Sequence, residues 1–366
     1  MKRFSSCLSA FRKVAWTVFA LVTLLSTACR RDLEYNYHPF CEITVRVDWS
    51  ALDEKPTGMS VYLYPEDGSE PFVKLTNQVD EARISVREGI YNVLVINQSI
   101  SEFGSLRFSG MDRFETACAE AAPYSSASHV GTGVVVEPEP LAAATHLRLE
   151  VTEQMVTDYQ AQLKAEAGQA ASRQVPSAAT FRLTAVPLTL NATVRVQVSG
   201  IQNVRSARGR FSGMASGCWL STGKPLATTA TYQIDRWEVE HSDADYTRGI
   251  LTGRFSTFGL VEEGISRQAR AAAGDNLLHL DILLVDNQTV VSTLFPVGDR
   301  IEELKEELSI RVEVGTETGS TPPSEGQEDP NVPLPLPDVK PENGSSSGFD
   351  ATVDDWGEEI DIDIDV

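Results

Sequence analysis

Cys29 is the residue whose setting most clearly implies a chemistry. It stands directly after Leu25-Ser26-Thr27-Ala28, and a thiol following small residues in this way is the nucleophile that takes a diacylglycerol at a bacterial lipobox. The amino terminus freed by cleavage usually takes a third chain, and two or more acyl chains hold a protein stably on a membrane where one does so only marginally. Ser26 occupies the place where leucine is commonest, and Leu25 comes one position early. The competing reading is an ordinary leader cut near Ala28, which leaves Cys29 a plain thiol.

The residues before it fit either reading. Lys2, Arg3, Arg12 and Lys13 precede an uncharged, largely apolar run over 14–25, which stops at Ser26, Thr27 and Ala28. Charged, apolar, then small is the order of a secretory signal peptide. The run is about 12 residues, whereas a membrane-spanning helix needs roughly 20, so residues 1–28 are expected to be a cleaved leader.

Other chemistry finds little support. No Gly-x-Ser-x-Gly elbow, His-Glu-x-x-His helix or phosphate-cradling glycine loop occurs. His38, His129, His146, His241 and His279 are scattered, and His279 lies in an apolar strand. The acidic pairs Asp354-Asp355 and Glu358-Glu359 sit in an acidic tail, where solvation explains them. Paired glycosidase carboxylates can lie far apart in a sequence, so this argument weighs against an enzyme without closing the question. Beyond the leader, Cys41, Cys118 and Cys218 form no Cys-x-x-Cys and no zinc pattern with histidine,. One disulfide or three small buried hydrophobes are both open. No catalytic, cofactor or metal-binding residue is assigned. The formal net charge of −21, with no basic stripe, argues against nucleic acid as a partner,.

The elements that must carry any site are strands. About 340 of the 366 residues follow the leader, enough for two domains of ordinary size. Residues 29–40 read as a tether. Cys41, Ile43, Val45, Val47 and Trp49 then alternate with Glu42, Thr44, Arg46 and Asp48, the period of two that buries one face of a strand. Further strands at 59–64, 84–86, 91–96 and 147–151 complete a first β-sandwich domain over 41–151. Met155, Tyr159 and Leu163 recur at helical spacing, giving a helical connector over 152–179. A second β-sandwich domain is expected over 180–314, with Val194, Val196 and Val198 facing its core and a hairpin over 277–294 turning at Asp286-Asn287,. Arg107-Phe108-Ser109-Gly110-Met111 recurs as Arg210-Phe211-Ser212-Gly213-Met214. Its expected role is a strand-end turn using glycine, with Phe and Met filling the core.

Residues 315–349, rich in Pro, Gly, Ser and acids and including Pro333-Leu334-Pro335-Leu336-Pro337, read as a disordered linker. Residues 350–366 form an acidic terminal segment in which Ile360, Ile362, Ile364 and Val366 alternate with Asp361, Asp363 and Asp365. Those four apolar residues could be added as a strand to a partner's sheet edge. The alternative is a closing edge strand of the chain's own second domain, with the Asp row repelling other edges.

In their order along the chain, several motifs resemble the anchor and accessory lipoproteins associated with fimbrillins in Bacteroidales, the FimB-like group and its uncharacterised relatives. The motifs are Cys29 followed by Arg30-Arg31-Asp32-Leu33-Glu34-Tyr35, then Val47-Asp48-Trp49-Ser50, the stretch from Gly58 to Gly68, Glu88-Gly89-Ile90-Tyr91-Asn92-Val93-Leu94-Val95, Phe108-Ser109-Gly110-Met111, and Gly348-Phe349-Asp350 through Asp354-Asp355-Trp356. The resemblance implies an all-β chain of two tandem transthyretin-like β-sandwich domains, lipid-anchored at the outer membrane and joined to fimbrial or other β-rich envelope subunits. Arg30 and Arg31 replace the acidic cluster often linked to surface display, which leaves the periplasmic and cell-surface faces both open. The alternative function is a surface lipoprotein that binds a glycan or other nutrient for an outer-membrane importer, with Trp219, Trp237 and Trp356 as the available stacking surfaces.

Overall fold

The computed structural model describes residues 39–124, 133–166, 177–261, 274–305, 307–316 and 323–341. In chain order the strands are β1 (Cys41–Asp48), β2 (Met59–Pro65), β3 (Phe72–Thr76), β4 (Glu81–Val86), β5 (Gly89–Ile96), β6 (Leu106–Ser109), β7 (Cys118–Ala121), β8 (Val134–Val135) and β9 (Ala142–Val151). Helix α1 (Glu153–Glu166) leads to β10 (Ala179–Thr184) and β11 (Val186–Pro187). There follow β12 (Leu190–Ser199), β13 (Val204–Ala215), β14 (Gly217–Trp219), β15 (Thr229–Ile234), β16 (Trp237–His241) and β17 (Arg248–Thr257). The last are β18 (Leu277–Leu284), β19 (Val290–Pro296), β20 (Ile301–Leu304), β21 (Ser309–Val314) and β22 (Leu334–Pro335).

The alternation in β1 does what its period dictates. Cys41, Ile43, Val45, Val47 and Trp49 are all buried, and the Trp49 indole donates to the Val79 carbonyl at 2.8 Å. Sheet β10-β1-β4 packs across this core against sheet β11-β9-β5-β2-β3. The second sandwich pairs sheet β16-β17-β12-β21-β20 with sheet β19-β18-β13-β15-β8, and a small sheet β14-β7-β6 lies beside them. Val194, Val196 and Val198 point into this second core.

The sheet containing β2 is apolar on both faces, which ties the two sandwiches together. Val61, Leu63, Val93 and Val95 fill the first core, while Tyr62, Tyr64, Leu94 and Ile96 belong to the second. A strand buried on both sides reads as a continuous apolar run, as Val93-Leu94-Val95-Ile96 does.

Three features depart from the expected boundaries. First, β10 pairs in parallel with β1, from Ile43 opposite Ala179 to Asp48 opposite Thr184, and β11 pairs with β9. The helix is a crossover within the first sandwich: Val156 and Tyr159 on α1, with Leu183 and Ala185 after it, complete that core. Second, β7 pairs with β14 and β8 with β15, so part of the span 41–151 is built into sheets of the later half. Third, the described part of 315–349 is packed. Leu334 and Leu336 are buried, β22 pairs in parallel with the end of β12, and Leu336 donates to the Ser199 carbonyl at 2.8 Å. The composition of this stretch could not order it alone, but β12 offers a preformed edge and core, and the prolines already hold the chain extended. Buried Arg300 fastens it further, donating to the carbonyls of Glu313 and Thr316 at 3.1 Å and to Asn331 Oδ1.

The repeated five-residue motif has the same local role twice. Gly110 and Gly213 both take left-handed φ, +63° and +78°. A Cβ on Gly110 would lie 2.0 Å from the Thr116 carbonyl oxygen, and one on Gly213 2.6 Å from that of Asp275. Phe211 and Met214 are fully buried beside it, and Phe108 and Met111 pack on the same core.

Candidate functional site

The site residues expected from the sequence, Cys29 and the row Ile360, Ile362, Ile364 and Val366, lie outside the described residues. So do His38, His129 and Trp356. Among the described residues, Cys41, Cys118 and Cys218 are free and buried. In the pairing of β7 with β14, Cys118 faces Trp219 and Cys218 faces Ala119, so the two thiols occupy opposite faces of the sheet. Burial pushes the Cys218 thiol up to about 12, which keeps it protonated and unreactive.

The described histidines, His146, His241 and His279, do not converge either. His279 on β18 accepts at its Nδ1 from the Arg210 guanidinium at 2.5 Å, with Asp281 3.8 Å from Nε2. Burial lowers its pKa, Asp281 opposes that shift, and Arg210 adds to it. His241 stacks flat on exposed Tyr246 with centroids 4.2 Å apart. Trp237 is a packing residue. Its ring covers Gly253, where a Cβ would sit 2.9 Å from it, and its indole donates to the Ile234 carbonyl at 3.0 Å.

The unusual surface is a sheet edge absent from the expected strands. Residues 65–68 make a turn in which Gly68 donates to the Pro65 carbonyl, and the Asp67 carboxylate accepts from Ser69 N–H at 2.9 Å. The hydrogen bonds from Ser69 hold that carboxyl below its ordinary pKa. The chain then returns as β3, antiparallel to β2, from Phe72 opposite Leu63 to Thr76 opposite Met59. Among the described strands β2 is its sole partner, so the other edge of β3 presents its backbone groups outward. Phe72, Val73 and Leu75 remain 44%, 50% and 56% exposed. The Phe72 ring meets buried Tyr91 edge-on at 6.4 Å, and the turn at 76–78 is closed by Gln78 N–H donating to Thr76 Oγ1 at 3.0 Å.

Several other edges are guarded, as sheet edges usually are. Strand β4 carries Glu81, paired with Arg46 at 3.3 Å. Strand β16 carries Glu238 and Glu240, with Glu238 bridged to Arg254 at 2.6 Å, and β20 carries Glu302 and Glu303. The segment 323–341 crosses β19, where Glu328 donates to the Leu294 carbonyl at 2.9 Å. Strand β3 has only Lys74. Its four-residue apolar and basic run after Pro71 lacks the longer alternation that marks a strand, and so resembles a loop; the bracketing turn residues Asp67-Gly68 and Asn77 were the available signal. Elsewhere an apolar recess of about 300 Å³ is lined by Leu188, Leu190, Phe258, Leu260 and Leu308, with Leu308 held at a left-handed φ of +47°.

The described residues thus form two fused β-sandwiches with an apolar sheet edge at β3. The chain belongs to the family described as Domain of unknown function (DUF5119), which its residues 28–235 match. It is similar to Fim4B of Bacteroides ovatus, named as a candidate fimbrium anchoring subunit, at 24% identity over 358 residues covering 94% of this chain and 95% of that one. The fold is similar to the crystal structure of a candidate adhesin from Bacteroides ovatus, with a TM-score of 0.53 at 19% identity, over 86% of this chain and 98% of that one. The fimbrial anchor protein Mfa2 of Porphyromonas gingivalis matches with a TM-score of 0.42 at 11% identity, over 74% of this chain and 90% of that one.

Proposed function

We propose that this chain is a non-enzymatic, outer-membrane lipoprotein that anchors a fimbria or assists its assembly, held by acyl chains on Cys29 and joined to β-rich fimbrial subunits through strand edges. The observation that carries the reading is the edge of β3, which pairs with β2 alone among the described strands and exposes Phe72, Val73 and Leu75. Similarity to Fim4B along nearly the whole of both chains supports it, as does the lipobox-like sequence ending at Cys29. No helix among the described residues is long and apolar enough to cross a membrane. Residues 360–366 supply a second joint, a strand that can be added to a partner's sheet.

An anchor differs from any other fimbrial component in what its loss of lipid does. Cells carrying Cys29→Ala are expected to release fimbriae into the medium with this chain at one end, and to lose incorporation of a labelled fatty acid into it. Fimbriae retained at the wild-type level on such cells would refute the anchor role.

A further inference from the structure

We propose that the outer face of the second sandwich carries a site for an uncharged sugar residue, in a polar recess where β12, β17 and the start of β16 meet. The site is separate from β3 and does not rest on the reading of that edge as a joint. The recess holds about 390 Å³, within the range of small-ligand sites. Asn191 and Thr193 of β12 and Ser256 of β17 line it beside Arg236, Glu238 and Arg254. The strand residues among these face away from the core, because Ala192, Val194 and Phe255, which alternate with them, are buried in it,.

Three features select the ligand. The strands beneath the recess are already paired on both sides, β12 with β17 and β21, and β17 with β16 and β12. No backbone edge is offered to a peptide there, so whatever binds is read by side chains. The lining is also balanced in charge. Arg236 reaches Glu137 and Arg254 reaches Glu238, each at 2.6 Å, while on the adjoining strands Arg195 lies opposite Glu313 and Arg311 opposite Glu302. In a chain of formal net charge −21, a balanced recess does not draw in an anion. The third feature is the mixture of donors and acceptors. The Asn191 amide and the Thr193 and Ser256 hydroxyls have no hydrogen-bond partner among the described residues, and each guanidinium keeps donors beyond the one its carboxylate takes. A sugar ring matches this set, because each of its neighbouring hydroxyls both donates and accepts, and planar guanidinium, carboxylate and amide groups can grip two at once.

The groups are set before a ligand arrives. Glu137 accepts from Arg236 and also from the Ser256 N–H at 3.2 Å, and the Arg254 N–H donates to the Arg236 carbonyl at 3.4 Å. Three segments of the chain are thereby tied together around the recess, and polar groups held in place beforehand lower the ordering cost of binding. The ion pairs themselves contribute little to the fold, since their side chains are between 38% and 72% exposed,. Trp237 offers no stacking wall here, because its ring covers Gly209 and Gly253. Recognition therefore rests on the hydroxyls of the ligand.

Binding of the full chain to arrayed oligosaccharides tests the site, with galactose-, glucose-, mannose- and fucose-terminated probes set beside sialylated ones and beside unstructured peptides. The chain is kept in a polyoxyethylene detergent, which carries no sugar. At least one uncharged terminal sugar is expected to bind, and the sialylated probes to bind more weakly. Thr193→Val with Arg254→Ala should weaken that binding about tenfold or more, as the loss of one or two hydrogen bonds does, at an unchanged Tm. Val73→Asp with Leu75→Asp should leave it intact. Glu137→Gln with Glu238→Gln removes the balancing charge and should raise the binding of sialylated probes. The site is overturned if no sugar binds, if the unaltered chain prefers sialylated probes or peptides, or if Thr193→Val with Arg254→Ala binds sugar as well as the unaltered chain does.

Discussion

Replacing Val73 and Leu75 together with aspartate should disable docking at β3 while sparing the fold. The two side chains are 50% and 56% exposed, so about half of each remains to be buried when a strand is added. Full burial of such a side chain is worth about 1.5–3 kcal/mol, which puts the pair at about 1.5–3 kcal/mol of docking free energy. At 1.4 kcal/mol per factor of ten, the loss is about 10- to 150-fold in affinity. Because the same atoms already face water, the cost to folding is about 1 kcal/mol in all, or about 2–4 °C in Tm. The assay is titration of the immobilised chain with the fimbrial subunit that co-purifies with it, alongside calorimetry of the variant. Leu147→Asp is the control, since Leu147 is 63% exposed but lies on β9, away from the edge. An affinity within threefold of the unaltered chain, at a Tm showing that the variant is folded, would refute the assignment of β3 as a joint.

The packing of 323–341 leads to a stability expectation: Leu334→Ala should cost about 2–4 kcal/mol, the usual range for a buried leucine, measured by urea unfolding, whereas a dispensable linker would show no change. Across pH, His279 has a pKa lowered by burial, so the unfolded chain binds its proton first as pH falls below about 6.5. The fold therefore loses stability from that point down to the lower folded-state pKa, and His279→Gln should lose less Tm than the unaltered chain between pH 7.5 and 5. Because the three described cysteines are free and buried, a thiol reagent should label them only after unfolding, and dithiothreitol should leave Tm unchanged.

The parts of the fold that were legible in the sequence are those where a period shows. The stretch 41–49, β1 and the tryptophan after it, alternates for nine positions, Val194 to Val198 repeat it, and Met155, Tyr159 and Leu163 mark α1. Pairing partners were not legible. Nothing in Ala179–Thr184 says that it will lie parallel to β1, because apolar content fixes which face is buried and not against which strand,. Leu334 and Leu336 were hidden by prolines and acids around them, since composition measures whether a stretch can order alone and not whether a neighbouring edge will hold it. The candidate site was missed for the opposite reason. Val73 and Leu75 lack a buried face of their own, so β3 gives no strong alternation until β2 is beside it.

Placing a photo-reactive phenylalanine analogue at Val73 in living cells, followed by mass spectrometry of whatever larger adduct forms on irradiation, examines the joint where it works. The expected adduct joins this chain to a β-sandwich fimbrial subunit and disappears when Leu75→Asp is added. An adduct with an outer-membrane importer, unaffected by Leu75→Asp, would contradict the anchor and point to ligand capture for uptake.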